Sequence, residues 1–307
     1  MIELKNAVKK FEGDVILKGI SLSIKSGSAY GLLGSNGAGK STILRMLSGI
    51  YKPDGGEVLI DGQAVWENVA VKQRVFFIND ETVQFSSYTL KQLRNYYRSY
   101  YPNFSDELFE KLRERIGLSP DKKISTFSKG MKRQAVVIIG LACRTDYLLL
   151  DEAFDGLDPT MRNIVKKMLV DAMIDRSLTV VISSHNLKEI SEICDSAALI
   201  HNGEIVFASE LDDIRSSLHK VQAVFNRETT DESFLSKEGI ASLGLEVMHF
   251  ERSMSVCHII IKGDEERIKT VLAEKDPVVL DIVPLTLEEI FIYELEVLGY
   301  DSSDINI

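Results

Sequence analysis

Several features that would place a chain in a large structural class are scarce here. There are three cysteines, Cys143, Cys194 and Cys257, far apart and without CxxC spacing. Neither a disulfide framework nor a zinc ribbon is expected, and they read as reduced, mostly buried thiols of a cytosolic protein. Six prolines and 20 glycines in 307 residues exclude collagen-like and low-complexity chains. The longest uncharged apolar run, Ala135 to Cys143, is closed by Arg133 upstream and Arg144 downstream. It fits a buried helix and falls short of the roughly eighteen residues a membrane span needs. The opening MIELKNAVKKFEGD is charged from its third residue, so no signal peptide is expected, and any membrane role comes through a partner chain.

What is present suits a soluble globular protein: 45% hydrophobic and 27% charged residues, enough for a sizeable core. At roughly 150 residues per domain the length suggests about two domains. The net charge of −10 is unevenly placed: residues 1–215 hold 28 basic and 28 acidic side chains, residues 216–307 hold 8 and 18. That shift marks a boundary. An acidic tail without a basic stripe argues against a nucleic-acid partner.

Over residues 1–215 short apolar runs alternate with amphipathic helical stretches. Strands are expected at Ser28 to Leu33, Glu57 to Ile60, Arg74 to Ile78, Tyr147 to Leu150 and Leu178 to Ser183. Several are nearly continuous apolar runs, as in strands covered on both faces. Ile164, Val165, Met168, Leu169 and Ala172 recur at helical spacing within Thr160 to Asp175. The alternation predicts an α/β domain with a largely parallel sheet, closed by a hairpin at Asn202-Gly203 within Ala197 to Phe207. Residues 86–142 read as an inserted helical subdomain rich in tyrosine, a cluster that suits ordinary packing or partner docking. Residues 216–307 follow the order βαββαβ: a strand at Val221 to Phe225, a helix at Asp231 to Leu243, a hairpin of Leu245 to Phe250 with Ser255 to Ile261, a helix at Glu265 to Glu274, and a strand at Val278 to Val283. That order predicts a small α+β, ferredoxin-like C-terminal domain. A last helix begins near Thr286, with Glu289 three residues on as a capping partner.

The strongest chemical signal is GSNGAGKST, Gly34, Ser35, Asn36, Gly37, Ala38, Gly39, Lys40, Ser41 and Thr42. It fits GxxxxGK[ST] between a strand and a helix. Its glycines let backbone N–H groups turn inward around phosphates. Lys40 reaches the β- and γ-phosphates, the Ser41 hydroxyl suits Mg²⁺, and the following helix offers its positive end. The run YLLLDE, Tyr147 to Glu152, delivers two carboxylates at a strand's carboxyl end, where open α/β sheets bind ligands. Asp151 suits Mg²⁺, and Glu152 suits a general base polarising the attacking water. Ser128 and Gly130 in FSKGM open a helix as a second anion site, with a simple helix cap as the alternative. Asp158, before Pro159, reads as a turn and helix cap. His185, at the end of the strand from Leu178, is a structural histidine or a donor to a γ-phosphate.

The ordered set of phosphate loop, Ser128 helix, Asp151-Glu152, Asp158 and His185 resembles the nucleotide-binding subunit of an ABC transporter over about residues 1–215. The resemblance implies a P-loop ATPase core of ABC type with an inserted helical subdomain, and ATP with Mg²⁺ as cofactors. It also implies a head-to-tail dimer, homodimer or heterodimer, in which Ser128 and Gly130 of one subunit face the phosphate loop of the other. Phe11 in KKFEG matches the aromatic that stacks on adenine, with a core phenylalanine as the alternative. The signature departs from the family's LSGGQ at Phe127, Lys129 and Met131. Where the family's Q-loop glutamine follows Arg74 to Ile78, Asp80 is the best match, as a nucleotide and Mg²⁺ contact, and Gln84 the alternative. The SKGMKR signature with an extra C-terminal domain looks similar to bacterial exporters of the bacitracin-resistance and multidrug type, whose permease is a separate membrane chain.

The expected function is therefore ATP hydrolysis that drives a separate transmembrane permease, with catalytic Glu152, His185 and Lys40, at the cytoplasmic face of the cell membrane. The other reading is a soluble ABC ATPase acting on DNA or the ribosome. The gap of 88 residues between Lys40 and Ser128 leaves no room for a coiled coil, and only one cassette is present. The C-terminal domain is a dimerisation module, a regulator or a spacer.

Overall fold

Three strands with every residue buried, β3 (Ala29–Leu33), β7 (Tyr147–Asp151) and β8 (Thr179–Ser184), form the centre of the first unit. Largely apolar on both faces until their carboxyl ends, they are stable only when covered on both. The computed structural model describes residues 1–79, 85–213, 218–226, 231–283 and 285–297. It divides into a unit of Met1–Ala208 and a second beginning at Ser209.

In the first unit the hairpin β1 (Ile2–Phe11) and β2 (Asp14–Ile24) precedes β3. Helix α1 (Lys40–Leu47), strands β4 (Gly55–Ile60) and β5 (Gln63–Ala64), helix α2 (Val69–Lys72) and strand β6 (Val75–Ile78) follow. Next come helices α3 (Leu90–Tyr100), α4 (Asp106–Ile116) and α5 (Lys129–Ala142), then β7, α6 (Pro159–Arg176), β8, α7 (Leu187–Ser191), β9 (Ser196–His201) and β10 (Glu204–Glu210). The main sheet has the order β10-β9-β3-β8-β7-β6, with β9, β3, β8, β7 and β6 parallel. Asn202 and Gly203, both at positive φ, turn β9 into β10.

Glu57 to Ile60, which the sequence groups with the alternating α/β run, belongs instead to a second, antiparallel sheet of order β2-β1-β4-β5. That sheet is weakly marked in the sequence because only one face of β1 and β2 is buried and the β1–β2 register slips three times. Helix α1 packs between the two sheets. Ile43, Leu44 and Leu47 share one core with Ile2, Leu4 and Leu17 of the antiparallel sheet and with Leu32, Leu149 and Val181 of the parallel one. Helix α5 buries Val137, Ile138, Ile139, Leu141 and Ala142, and at Gly140 it lies so close to Phe76 that a Cβ would stand 2.8 Å from the ring.

The second unit contains β11 (Leu218–Phe225), α8 (Lys237–Ala241), β12 (Glu246–Ser253), β13 (Val256–Lys262), α9 (Glu265–Ala273), β14 (Pro277–Val283) and α10 (Leu287–Val297). Its sheet has the order β12-β13-β11-β14, antiparallel throughout, the ferredoxin-like arrangement. One face packs Val221, Ala223, Ile259 and Ile261 against Ile240 of α8 and Ile268 and Leu272 of α9. The continuous helix expected at Asp231 to Leu243 is instead a 3₁₀ turn, Glu232–Phe234, followed by α8. Asp231 caps the first and Ser236 the second; two start signals five residues apart restart the helix rather than extend it. Thr286 and Glu289 form a reciprocal capping box, Thr286 N donating to Glu289 Oε2 at 2.9 Å and Glu289 N to Thr286 Oγ1 at 3.2 Å.

Asp61, just after β4, clasps the antiparallel sheet to the parallel one. Its carboxylate accepts from Tyr147 Oη at 2.8 Å and Arg74 Nη2 at 2.6 Å, and from the terminal ammonium of Met1. Burial opposes ionisation, but these donors outweigh it and hold the carboxyl at about 2. A folded-state value below the unfolded one gives stability above the unfolded value that is lost as pH falls through the folded one. Asp61→Asn is expected to be less stable than the native chain at pH 7, the gap closing as pH drops from about 4 to about 2. Urea unfolding across that range measures the gap, and one that does not change with pH contradicts the clasp.

Candidate functional site

Strand β3 ends at Leu33 and the chain turns at once into the loop Gly34 to Gly39 before α1. Two glycines make the turn possible. Gly34 has φ +150° and a Cβ there would meet the Ile200 carbonyl oxygen at 2.3 Å; Gly39 has φ +112° and a Cβ would meet Leu17 at 2.6 Å. No side chain caps α1, whose first turn carries no acidic residue. The positive end of the helix is therefore directed at the loop, an arrangement suited to anions. Lys40 is 4% exposed, and its ammonium donates to the carbonyls of Gly34 at 2.6 Å and Ser35 at 3.0 Å. The Ser35 carbonyl also accepts from Ala38 N at 3.2 Å, so the loop is folded around the lysine. Burial lowers the Lys40 pKa from the usual lysine value, against the pull of the Glu152 and Asp151 carboxylates.

The loop forms one wall of a cavity of about 320 Å³ lined by Phe11, Ile16, Asn36, Lys40, Thr42 and Glu152, together with Gly37, Gly39 and Ser41. Phe11, at the tip of the β1–β2 hairpin, is 38% exposed. Tyr51 holds it edge-on, centroids 5.1 Å apart, and Lys9 Nζ lies 5.1 Å from its ring. It stands at the cavity rim and outside the core, which removes the core alternative.

Beneath the loop, parallel pairing sets Asp151 of β7 opposite Ser183 of β8. Asp151 Oδ1 accepts from Ser41 Oγ at 3.0 Å and Ser183 Oγ at 2.6 Å. Glu152 follows at φ +46°, a left-handed conformation uncommon for a residue with a Cβ. Its amide donates to both oxygens of Ser183, 3.1 Å to Oγ and 3.2 Å to the carbonyl. Such outliers persist where the surroundings hold them; here they swing the Glu152 side chain out of the strand and into the cavity. His185 Nδ1 lies 3.7 Å from Glu152 Oε1, and ligand atoms of Glu152, Asp155 and His185 all stand within 4.8 Å of one another.

The remaining residues singled out from the sequence lie elsewhere. Ser128 caps α5, accepting from Met131 N at 3.2 Å, and neither it nor Gly130 lines the cavity. Gly130 abuts the Gly156 carbonyl, which a Cβ would approach to 2.9 Å. Two residues on, Asp158 caps α6 through Met161 N at 3.0 Å, with Pro159 in the first turn. Asp80 and Gln84 lie outside the described residues. The buried Arg133 of α5 donates to the Asn79 carbonyl at 2.8 Å, joining the signature helix to the chain just after β6.

Sequence reasoning missed Ser183, Asp155, Ile16 and Tyr51. Ser183 alone had a readable signal, a pair of serines closing an apolar strand directly before His185. The others arrive from separate places, Ile16 on the β1–β2 hairpin, Tyr51 on the loop after α1 and Asp155 on the turn after β7.

Residues 17–155 match the ABC transporter family. The chain is 32% identical over 292 residues to the ABC transporter ATP-binding protein YtrB of Bacillus subtilis, covering 95% of this chain and 97% of that protein. The chain belongs to the ATP-binding subunits of bacterial ABC transporters. It is 31% identical to the linearmycin resistance ATP-binding protein LnrL of the same organism, over 71% of this chain and 72% of LnrL. Among solved structures, a dimeric bacterial ABC transporter cassette superposes with a TM-score of 0.62 at 21% identity, over 69% of this chain and 99% of that one. The match to YtrB extends well into the second unit, whereas the match to the solved cassette is about the size of the first. As an ABC ATP-binding subunit the protein binds nucleotide and is an ATPase.

Ser183 supports both carboxylates of this ABC site. Ser183→Ala is expected to lower stability by about 1–3 kcal/mol, because it leaves the buried Asp151 oxygen and the Glu152 amide each short of one partner. It is also expected to slow ATP turnover by displacing Glu152. Urea unfolding and phosphate release measure the two effects; native values in both would show that Ser183 positions neither group.

Proposed function

We propose that the protein hydrolyses MgATP at the interface of a head-to-tail dimer and thereby drives a separate membrane permease of the exporter type. One observation carries this reading. The cavity gathers an exposed aromatic ring, a phosphate loop closed on Lys40 and the Glu152 carboxylate, while the second anion-binding pattern, Ser128 and Gly130, stands apart from it. A second copy placed head to tail supplies those two residues, and the cassette similar to this chain is described as dimeric.

In this reading Phe11 stacks on adenine, and the backbone from Gly34 to Thr42 wraps the phosphates. Lys40 exchanges its loop carbonyls for phosphate oxygens. Ser41 and Asp151, whose oxygens converge at 3.0 Å, are the metal ligands; an all-oxygen set suits a hard cation. Mg²⁺, when bound there, neutralises charge on the β- and γ-phosphates. Asp80 is assigned to nucleotide and metal by resemblance alone. Glu152 takes the proton of the attacking water, and His185 beside it donates to the γ-phosphate. Asp158, adjoining the start of α5, faces the other subunit. ATP favours the closed dimer because only closure brings Ser128 and Gly130 to it.

The permease contact is assigned to a groove of about 310 Å³ between α2 and α3, lined by Val69, Lys72, Gln73, Tyr96, Tyr97 and Tyr100 among others. Val69 is 69% and Tyr100 58% exposed, an apolar surface that favours a partner. Among the described residues no helix is long and apolar enough to cross a membrane, and membrane association follows from that contact. Export is the direction favoured by the resistance relative LnrL. The second unit is assigned to subunit pairing, since edge strand β14 exposes Val278 and Val279, a surface open to strand addition.

Glu152→Gln is expected to bind MgATP, accumulate as a dimer in sedimentation and release phosphate at least about 100-fold more slowly than the native chain. Turnover at the native rate overturns the base assignment, and a monomer saturated with MgATP overturns the shared site. Val278→Lys is expected to lower the dimer fraction without nucleotide; unchanged sedimentation removes the second unit from subunit pairing.

A further inference from the structure

The sheet of the second unit has one face covered by α8 and α9 and another that carries polar side chains. Which residues of β12 reach that polar face is decided by a bulge. Val247 pairs with Ile261, but the next pair is His249 with Ile260, so Met248 is an extra residue. Side chains alternate with a period of two. Counted from the buried Val247, an unbroken strand would turn His249, Glu251 and Ser253 into the core. The extra residue inverts the alternation: Phe250 packs on the core cluster, while His249, Glu251 and Ser253 join Lys220 and His258 around a cavity of about 240 Å³. Bulges re-aim side chains in this way next to functional sites.

We propose that this cavity is a binding site for one divalent transition-metal ion of the zinc type, held by His249, Glu251 and His258. His249 and Glu251 stand two apart on β12, and His258 of β13 is directly opposite Glu251. Direct cross-strand neighbours have Cβ atoms about 4.5–5.5 Å apart and diagonal ones about 7–8 Å, a spacing imidazole and carboxylate side chains can span. Two imidazoles and a carboxylate form an N/O donor set that suits Zn²⁺ and leaves a position for water. Among the described residues, the side chains of Glu251 and His258 take part in no hydrogen bond or ion pair. The neighbouring Lys220 is paired with Glu289 of α10 at 2.6 Å and also feels the Glu251 carboxylate across the cavity, so a metal ion entering there competes with that ammonium for Glu251. Tyr293 of α10 lies over His249, centroids 5.3 Å apart, and walls the site on the helix side. The ligand atoms are not yet gathered within 4.8 Å, as those of Glu152, Asp155 and His185 are, so capture turns the three side chains between staggered rotamers. A bound ion would tie β12 to β13 beneath α10. The site is independent of the nucleotide reading.

The test uses the full chain, stripped with chelator and titrated with Zn²⁺ by calorimetry without nucleotide, then with Co²⁺ followed by visible absorption. The expected result is saturable zinc binding with one equivalent at this cavity, a cobalt spectrum of N/O coordination and a raised melting temperature. His249→Ala, His258→Ala and the conservative, exposed Glu251→Gln are each expected to weaken binding at least about tenfold with far-UV circular dichroism unchanged. His185→Ala separates this cavity from the Glu152 cluster and is expected to leave that equivalent in place. Absence of saturable binding overturns the proposal. So does zinc that survives Glu251→Gln and His258→Ala unweakened, or that is lost with His185→Ala alone.

Discussion

The functional site depends on one hydrogen-bonded node. Asp151 Oδ1 receives both the Ser41 hydroxyl from the phosphate-loop helix and the Ser183 hydroxyl from the neighbouring strand. That single oxygen joins α1, β7 and β8 at the carboxyl edge of the parallel sheet, where such sheets bind ligands. Ser183 also takes the Glu152 amide, so the left-handed turn that aims the carboxylate rests on the same anchor. Burial makes the node costly to disturb, since unpaired polar groups there lose solvent as well as partners.

The rest of the first unit holds this edge in place. The antiparallel hairpin carries Phe11 to the cavity rim and Ile16 to its wall, and helix α1 packs between the two sheets. At the other end, Asp61, Tyr147 and Arg74 clasp the sheets together. Two contacts tie the helical insertion to the rest of the unit: Arg133 reaches from α5 to the carbonyl of Asn79, and Gly130 lies against the Gly156 carbonyl.

In the second unit the same economy of means appears in a different form. A single extra residue, Met248, decides which side chains of β12 enter the core and which face the cavity beside Tyr293. Alternation by itself would not reveal it, because β12 mixes His249, Phe250, Glu251 and Arg252 with no clear polar phase. The break between the 3₁₀ turn and α8 is of the same kind: caps at Asp231 and Ser236 lie close together, and periodicity reads across them.

Local chemistry with a strict spacing was legible in the chain itself. The phosphate loop, the apolar strand ending in Asp151 and Glu152, the turn at Asn202-Gly203 and the capping box of Thr286 and Glu289 each depend on residues close in sequence, whose backbone needs are stated by type. The ferredoxin-like order followed from element succession for the same reason. What only the tertiary structure decided involves partners far apart in the chain: the pairing of β1 with β4, Ser183 beneath Asp151, Asp155 beside His185 and the bulge at Met248. Register and sheet order fix those contacts, and a shift of one residue moves a side chain to the opposite face.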